Sequence, residues 1–152
     1  MALKYSFSTR TVDTPGGQIV LRGLNVDDIG AIVGRHRDDL NALFNSIQGG
    51  AVAFSIDDFD AVAASLLKMV PRAAADIIAY SAFDPAKDDP ATLDEDAKTA
   101  ARIEAPVQLA LLEKIGELTF AMEGGLKKAL EIVVRMMQGT TALVAEMQGQ
   151  PR

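Results

Sequence analysis

Apolar residues recur along most of this chain at three- and four-residue intervals, the period of an α-helix. Ile29, Ile32, Val33, Leu40, Leu43, Phe44 and Ile47 form one stripe together with His36, and predict a single amphipathic helix over 25–48. Asn25 is placed to cap it, with Asp27 and Asp28 in the first turn, where negative charge complements the helix dipole. Gly30 and Gly34 lie inside it, and each costs a helix about 1 kcal/mol relative to Ala. They are read as places where a neighbouring element comes close. Gly49-Gly50 stops the helix. Ser55 or Asp57 can cap the next one, whose apolar face is Phe59, Val62, Leu66, Leu67 and Val70. Pro71 suits the first turn of a third, carrying Ala74, Ile77, Ile78 and Tyr80.

The amino terminus follows a different period. Within residues 3–12, Leu3, Tyr5 and Phe7 alternate with Lys4, Ser6 and Ser8. Pro15-Gly16-Gly17 then makes a turn, and residues 18–22 (QIVLR) supply a second short run. Two such runs about a Gly-bearing turn predict a β-hairpin over about 3–22. A hairpin alone is marginal in water, so it is expected to pack on helices or pair with another chain.

The acids and prolines of 84–96 (DPAKDDPATLDED) read as a solvated loop between two halves of the chain. A short helix is expected over 97–104. Pro106 opens another, with Val107, Leu111, Ile115, Leu118 and Met122 on its face, ended by Gly124-Gly125. A last helix runs from Leu126 to about Gln138. The expected architecture is mainly α with a small N-terminal hairpin: one domain over 1–139, then a partly flexible tail over 140–152.

Composition narrows the possible functions. Residues of the AVILMFWYC class make up 49% of the 152, alanine leads, and aromatics are only 5%, a mixture that favours helix. The formal charge is −6 and the pI near 4.7. That disfavours nucleic acid and anionic membrane surfaces as partners, since both recruit clustered Lys and Arg. Cysteine is absent, which excludes disulfides, thiolate ligands and thiolate nucleophiles. No apolar run reaches a membrane span, and no secretory leader pattern is present, so a cytoplasmic location is expected.

The candidate chemistry is sparse. His36, the single histidine, stands among Arg35, Arg37, Asp38 and Asp39. As a general base it would need a nucleophile and an orienting acid, and its neighbourhood supplies no nucleophile elbow. The preferred reading is a half-buried histidine on a helix face. Asp84, Asp88, Asp89, Asp94, Glu95 and Asp96 lack the alternation, central glycine and terminal glutamate of a calcium loop. Neither Pro15-Gly16-Gly17 nor Gly124-Gly125-Leu126-Lys127-Lys128 has phosphate-loop spacing. No catalytic residue, cofactor site or metal site is assigned.

The last helix is more informative. Its apolar residues at 126, 129, 130, 132, 133, 134, 136 and 137 form a band wider than one core requires. The surplus must be covered by another helix, another subunit or a client. Met136 and Met137 fill cores well, and also suit surfaces that accept varied apolar partners. Leu126, Leu130, Val133, Val134, Met136 and Met137 are therefore the candidate protein-binding residues.

Two stretches carry a resemblance. Residues 15–24 (PGGQIVLRGL), then Asp27-Asp28-Ile29 and His36, resemble the amino-terminal region of the tail assembly chaperones of long-tailed bacteriophages, also called pre-tape-measure proteins. Pro106-Val107-Gln108-Leu109, Leu112-Glu113-Lys114-Ile115, Leu118-Thr119-Phe120 and Glu123 to Lys128 resemble that family's second block. The resemblance covers about 15–48 and 102–137, and rests on the order and spacing of segments that are individually common. It implies a non-enzymatic assembly factor that binds the tape-measure protein and keeps it soluble before the tail tube polymerises. It also implies self-association, leaves the tail-tube protein as a further candidate partner, and implies a host-cytoplasmic protein missing from the mature virion. The rival readings are a structural tail or head-completion protein retained in the virion, an enzyme built on His36, and a small regulatory adaptor.

Overall fold

The computed structural model describes residue 3 and residues 8–48 and 59–120. Within them the chain is mainly helical with one two-stranded antiparallel sheet, as expected. The elements are β1 (Thr9–Thr14), β2 (Gly17–Arg22), α1 (Val26–Arg35), α2 (Arg37–Gln48), α3 (Phe59–Met69), α4 (Pro71–Ala82), a 3-10 turn at Pro90–Thr92, α5 (Leu93–Ala101) and α6 (Ala105–Thr119). The expected strand positions at Tyr5 and Phe7, Gly49-Gly50, the caps at Ser55 and Asp57, Met122, the Gly124-Gly125 turn and everything beyond lie outside the described residues. So do the side chains of Phe44, Ile47 and Phe59.

The hairpin pairs Thr14 with Gly17 across the turn and runs in register to Thr9 opposite Arg22. Gly17 has φ 132°, a conformation that L side chains rarely adopt, which accounts for glycine at the turn exit. Thr14 Oγ1 donates to Gly17 O, and Gln18 Nε2 to Asp13 Oδ1 at 2.9 Å. Leu21 is wholly buried, and Val12 and Ile19 pack beside it, so one sheet face lies on the helices.

The main core joins Leu21, Ala63, Ala74, Ala75, Ile78, Ala100, Leu111, Leu112 and Ile115. Helix α4 is central, packing against β2, α1, α3, α5 and α6. Ala73, Ala74, Ala75, Ile78 and Ala79 are all buried, along with Asp76 and Ser81. Small side chains let neighbours approach α4 from several directions, which a single stripe would not allow. A smaller core gathers Val33, Leu40, Leu43, Val70 and Ala73, so α1 and α2 rest on the junction between α3 and α4. Helix α6 buries Leu111 and Ile115, with Val107 and Leu118 packed beside them, the face its sequence predicts.

Four expectations need correction. The helix over 25–48 is two helices, divided at His36. The His36 N–H closes α1 on Ile32 O at 3.1 Å, and its carbonyl opens α2 by accepting from Leu40 N at 2.9 Å. Asp38 and Asp39 then sit in the first turn of α2, where a helix N-terminus favours them. The helix expected over 97–104 instead occupies Leu93–Ala101, and the loop ends earlier. Asp94, Glu95 and Asp96 form its first turn, and the 3-10 turn begun at Pro90 leads into it. Gly34 marks no close approach, because a Cβ there would meet nothing within 4 Å. Helix α6 ends at Thr119, with Phe120 as its C-cap, earlier than the Gly124-Gly125 stop that the sequence suggests.

Candidate functional site

The residues that carry the sequence resemblance converge at the end of β2. Arg22 is 4% exposed and its guanidinium is fully engaged. Nε donates to Phe83 O at 2.6 Å, and one terminal nitrogen reaches Gly23 O at 3.0 Å and Asp28 Oδ2 at 2.7 Å. Asp28 has a second task. Its Oδ2 accepts from Asn25 N at 3.0 Å while Asn25 Oδ1 accepts from Asp28 N at 2.8 Å, a reciprocal capping box. One carboxylate thus starts α1 and neutralises a buried arginine. On the other side the Ser81 hydroxyl donates to Arg22 O at 2.5 Å, joining β2 to α4. Such a pair holds its elements in one geometry, because parting either partner leaves a charge buried alone.

Gly23 extends this junction to α6. A Cβ at Gly23 would stand 2.9 Å from Leu118 O and 3.3 Å from Thr119 Cα. The next residue, Leu24, donates its N–H to Thr119 Oγ1 at 3.0 Å. The two halves of the resemblance, about 15–48 and 102–137, therefore meet here in space. Gln108 of the second half donates to Ala100 O at 2.8 Å and so satisfies the end of α5.

The second polar cluster lies at the division between α1 and α2. His36 Nε2 and Asp76 Oδ2 are 2.5 Å apart, with both side chains mostly buried. Arg35 approaches the same carboxylate oxygen at 3.6 Å and Asp94 at 3.4 Å, linking α1, α4 and α5. The Arg35 guanidinium is held above its ordinary arginine value, chiefly by the negative charge of Asp76. A hydrogen bond to Tyr80 and the charge of Asp94 add to this, and burial opposes it.

His36 is thus a partly buried histidine tied to a carboxylate, at the break between α1 and α2 and not on the face of one continuous helix. Its hydrogen bond goes to Asp76, and the buried Ser81 hydroxyl goes to the Arg22 backbone, so these two do not form a base and nucleophile pair. Among the described residues no group of three His, Asp or Glu side chains could hold a metal ion. Asp84 and Asp89 cap the loop's own backbone, at Ala86 N and Ala91 N. No helix among the described residues is long and apolar enough to cross a membrane. The candidate protein-binding residues Leu126, Leu130, Val133, Val134, Met136 and Met137 lie outside the described residues.

Sequence reasoning named Thr119 only as part of the resemblance, and did not single out Asp76, Ser81 or the role of Gly23. Asp76 carried a usable signal: it is the one acid in PRAAADIIAYSA, a helix otherwise rich in alanine and isoleucine. A lone carboxylate on such a helix is expected to have a cationic or hydrogen-bonding partner.

The described residues form a small helical protein with a hairpin docked on its helices. The model of the pre-tape measure protein family matches residues 1–152, and the chain belongs to that family. Comparisons with the curated proteins and with the solved structures give no significant match.

Proposed function

We propose that this protein is a phage tail assembly chaperone that binds the tape-measure protein and keeps it soluble before tail-tube polymerisation. The observation that carries the reading is the family match over the whole chain. A tape-measure protein is a long chain with apolar helical seams, and such seams aggregate unless another apolar surface covers them. Leu126, Leu130, Val133, Val134, Met136 and Met137 are proposed as that cover. Adaptable side chains suit a client whose stretches resemble one another without being identical. The charge of −6 keeps the assembled complex soluble by repulsion. On this reading the protein acts in the host cytoplasm and leaves before the particle is complete, and the tail-tube protein is a further contact at hand-over.

Coexpression with the tape-measure protein tests the surface. Leu130→Asp places a charge in the proposed apolar band and is expected to move most of the client from the soluble to the pelleted fraction. Client solubility equal to that with the wild-type chaperone would show that the band is not the binding surface. Mass spectrometry of purified particles tests the departure: peptides of this chain at the copy number of a structural component would overturn it.

A further inference from the structure

The outer edge of β1 is laid out for pairing. In a hairpin with a two-residue turn, the pair closing the turn is hydrogen-bonded and bonded pairs then alternate. Thr14 and Gly17 close this turn, so Val12 with Ile19 and Arg10 with Leu21 are the other bonded pairs. Thr9, Thr11 and Asp13 therefore direct their backbone N–H and C=O groups away from β2. The opposite edge obeys the same rule, for the outward carbonyl of Arg22 takes the Ser81 hydroxyl. The β2 edge thus reaches α4, whereas Thr9, Thr11 and Asp13 are exposed. Among the described residues no backbone hydrogen bond outside the hairpin reaches them.

We propose that a second copy of this chain pairs antiparallel with β1 about a two-fold axis through Thr11. That register uses all three outward residues and no others. Thr11 meets its own equivalent, and Thr9 meets Asp13 in both directions. Threonine pairs and hydroxyl–carboxylate pairs are favourable across antiparallel strands. Arg10 faces Val12, so no like charges oppose each other. Arg10 and Asp13 guard the edge against indiscriminate strands, and this register is one they tolerate. The bodies also fit. Helix α6 packs beneath both strands, so the two α6 helices would lie about two strand spacings apart, roughly 10 Å. That is an ordinary distance between packed helices. Its test does not involve the client, so failure here and failure of the proposed function are told apart.

The full chain is measured by light scattering over a range of concentrations. The mass is expected to rise from one chain towards two. Thr11→Pro should hold it at one chain with unchanged circular dichroism, because the lost N–H points outward, where edge strands accept proline. Val12→Pro removes an N–H from within the hairpin and should instead lower the Tm. Because the chain has no cysteine, single cysteines report the axis directly. Equivalent Cα atoms at residue 11 would sit about 5.5 Å apart, within disulfide reach, and those at residue 13 about 14 Å apart. Thr11→Cys should form disulfide dimers at least tenfold faster than Asp13→Cys, a comparison that stands even where the proline variant does not fold. A one-chain mass at every concentration, a Thr11→Pro chain that still dimerises, or equal cross-linking by the two cysteines would overturn the proposal.

Discussion

Arg22 shows how much one side chain can organise. It is buried, it neutralises Asp28, and it donates to two backbone carbonyls on different segments. Arg22→Met keeps most of the volume but leaves the Asp28 carboxylate without its cation and Phe83 O without a donor. Breaking a buried pair in this way costs about 3–5 kcal/mol, so urea unfolding should show that loss, with Arg22→Lys recovering only part of it. A lysine presents a point charge and cannot supply the planar fork that reaches both Asp28 and Phe83 O. Part of this residue's role was legible in the sequence. The run Arg-Gly-Leu followed by Asp-Asp drew attention, and the cap at Asn25 could be placed because its partners are local. The Phe83 and Ser81 contacts were not legible, because they span some sixty positions and depend on how α4 packs.

At the level of elements, hydrophobic period located the helices well where one face is buried, as in α3 and α6. Besides the end of α6, it failed at two boundaries for different reasons. The stripe through His36 continues smoothly, so nothing local marks the division between α1 and α2. What accompanies it is the contact with Asp76, 40 positions away. At α5, prolines and acids signal a loop when counted by composition. The same acids are favourable in the first turn of a helix, and there they lie. The two glycines at element boundaries and interiors can be told apart by experiment. Gly34→Ala, on an open helix surface, should stabilise by about 0.5–1 kcal/mol. Gly23→Ala forces a methyl against a backbone carbonyl and should destabilise by about 1–3 kcal/mol. Thermal melts of the two variants shifting in the same direction would contradict this assignment. The candidate binding band, by contrast, was legible only as an excess of apolar positions along residues 126–137, with no partner to give it a shape.

For the molecule as a whole, charge is the property most exposed to solution conditions. Asp88, Asp89 and the first turn of α5 place many of the acids on one solvent-facing stretch, while the buried Arg22 is matched by the buried Asp28. Repulsion between copies should fall as pH approaches the pI near 4.7. Static light scattering between pH 8 and about pH 5 is expected to show the second virial coefficient falling as the pH is lowered. A coefficient that rises across that range would mean that surface charge does not govern the solubility of this chain.

The contact at Gly23 reaches beyond stability. The last turn of α6 lies on a strip of bare backbone, and Leu24 grips Thr119 from 95 positions earlier in the chain. Helix α6 can neither roll nor slide there without losing that grip. The tilt of α6 is therefore set by the segment that leaves β2, so a methyl group at residue 23 would turn the helix as well as loosen the core beside it.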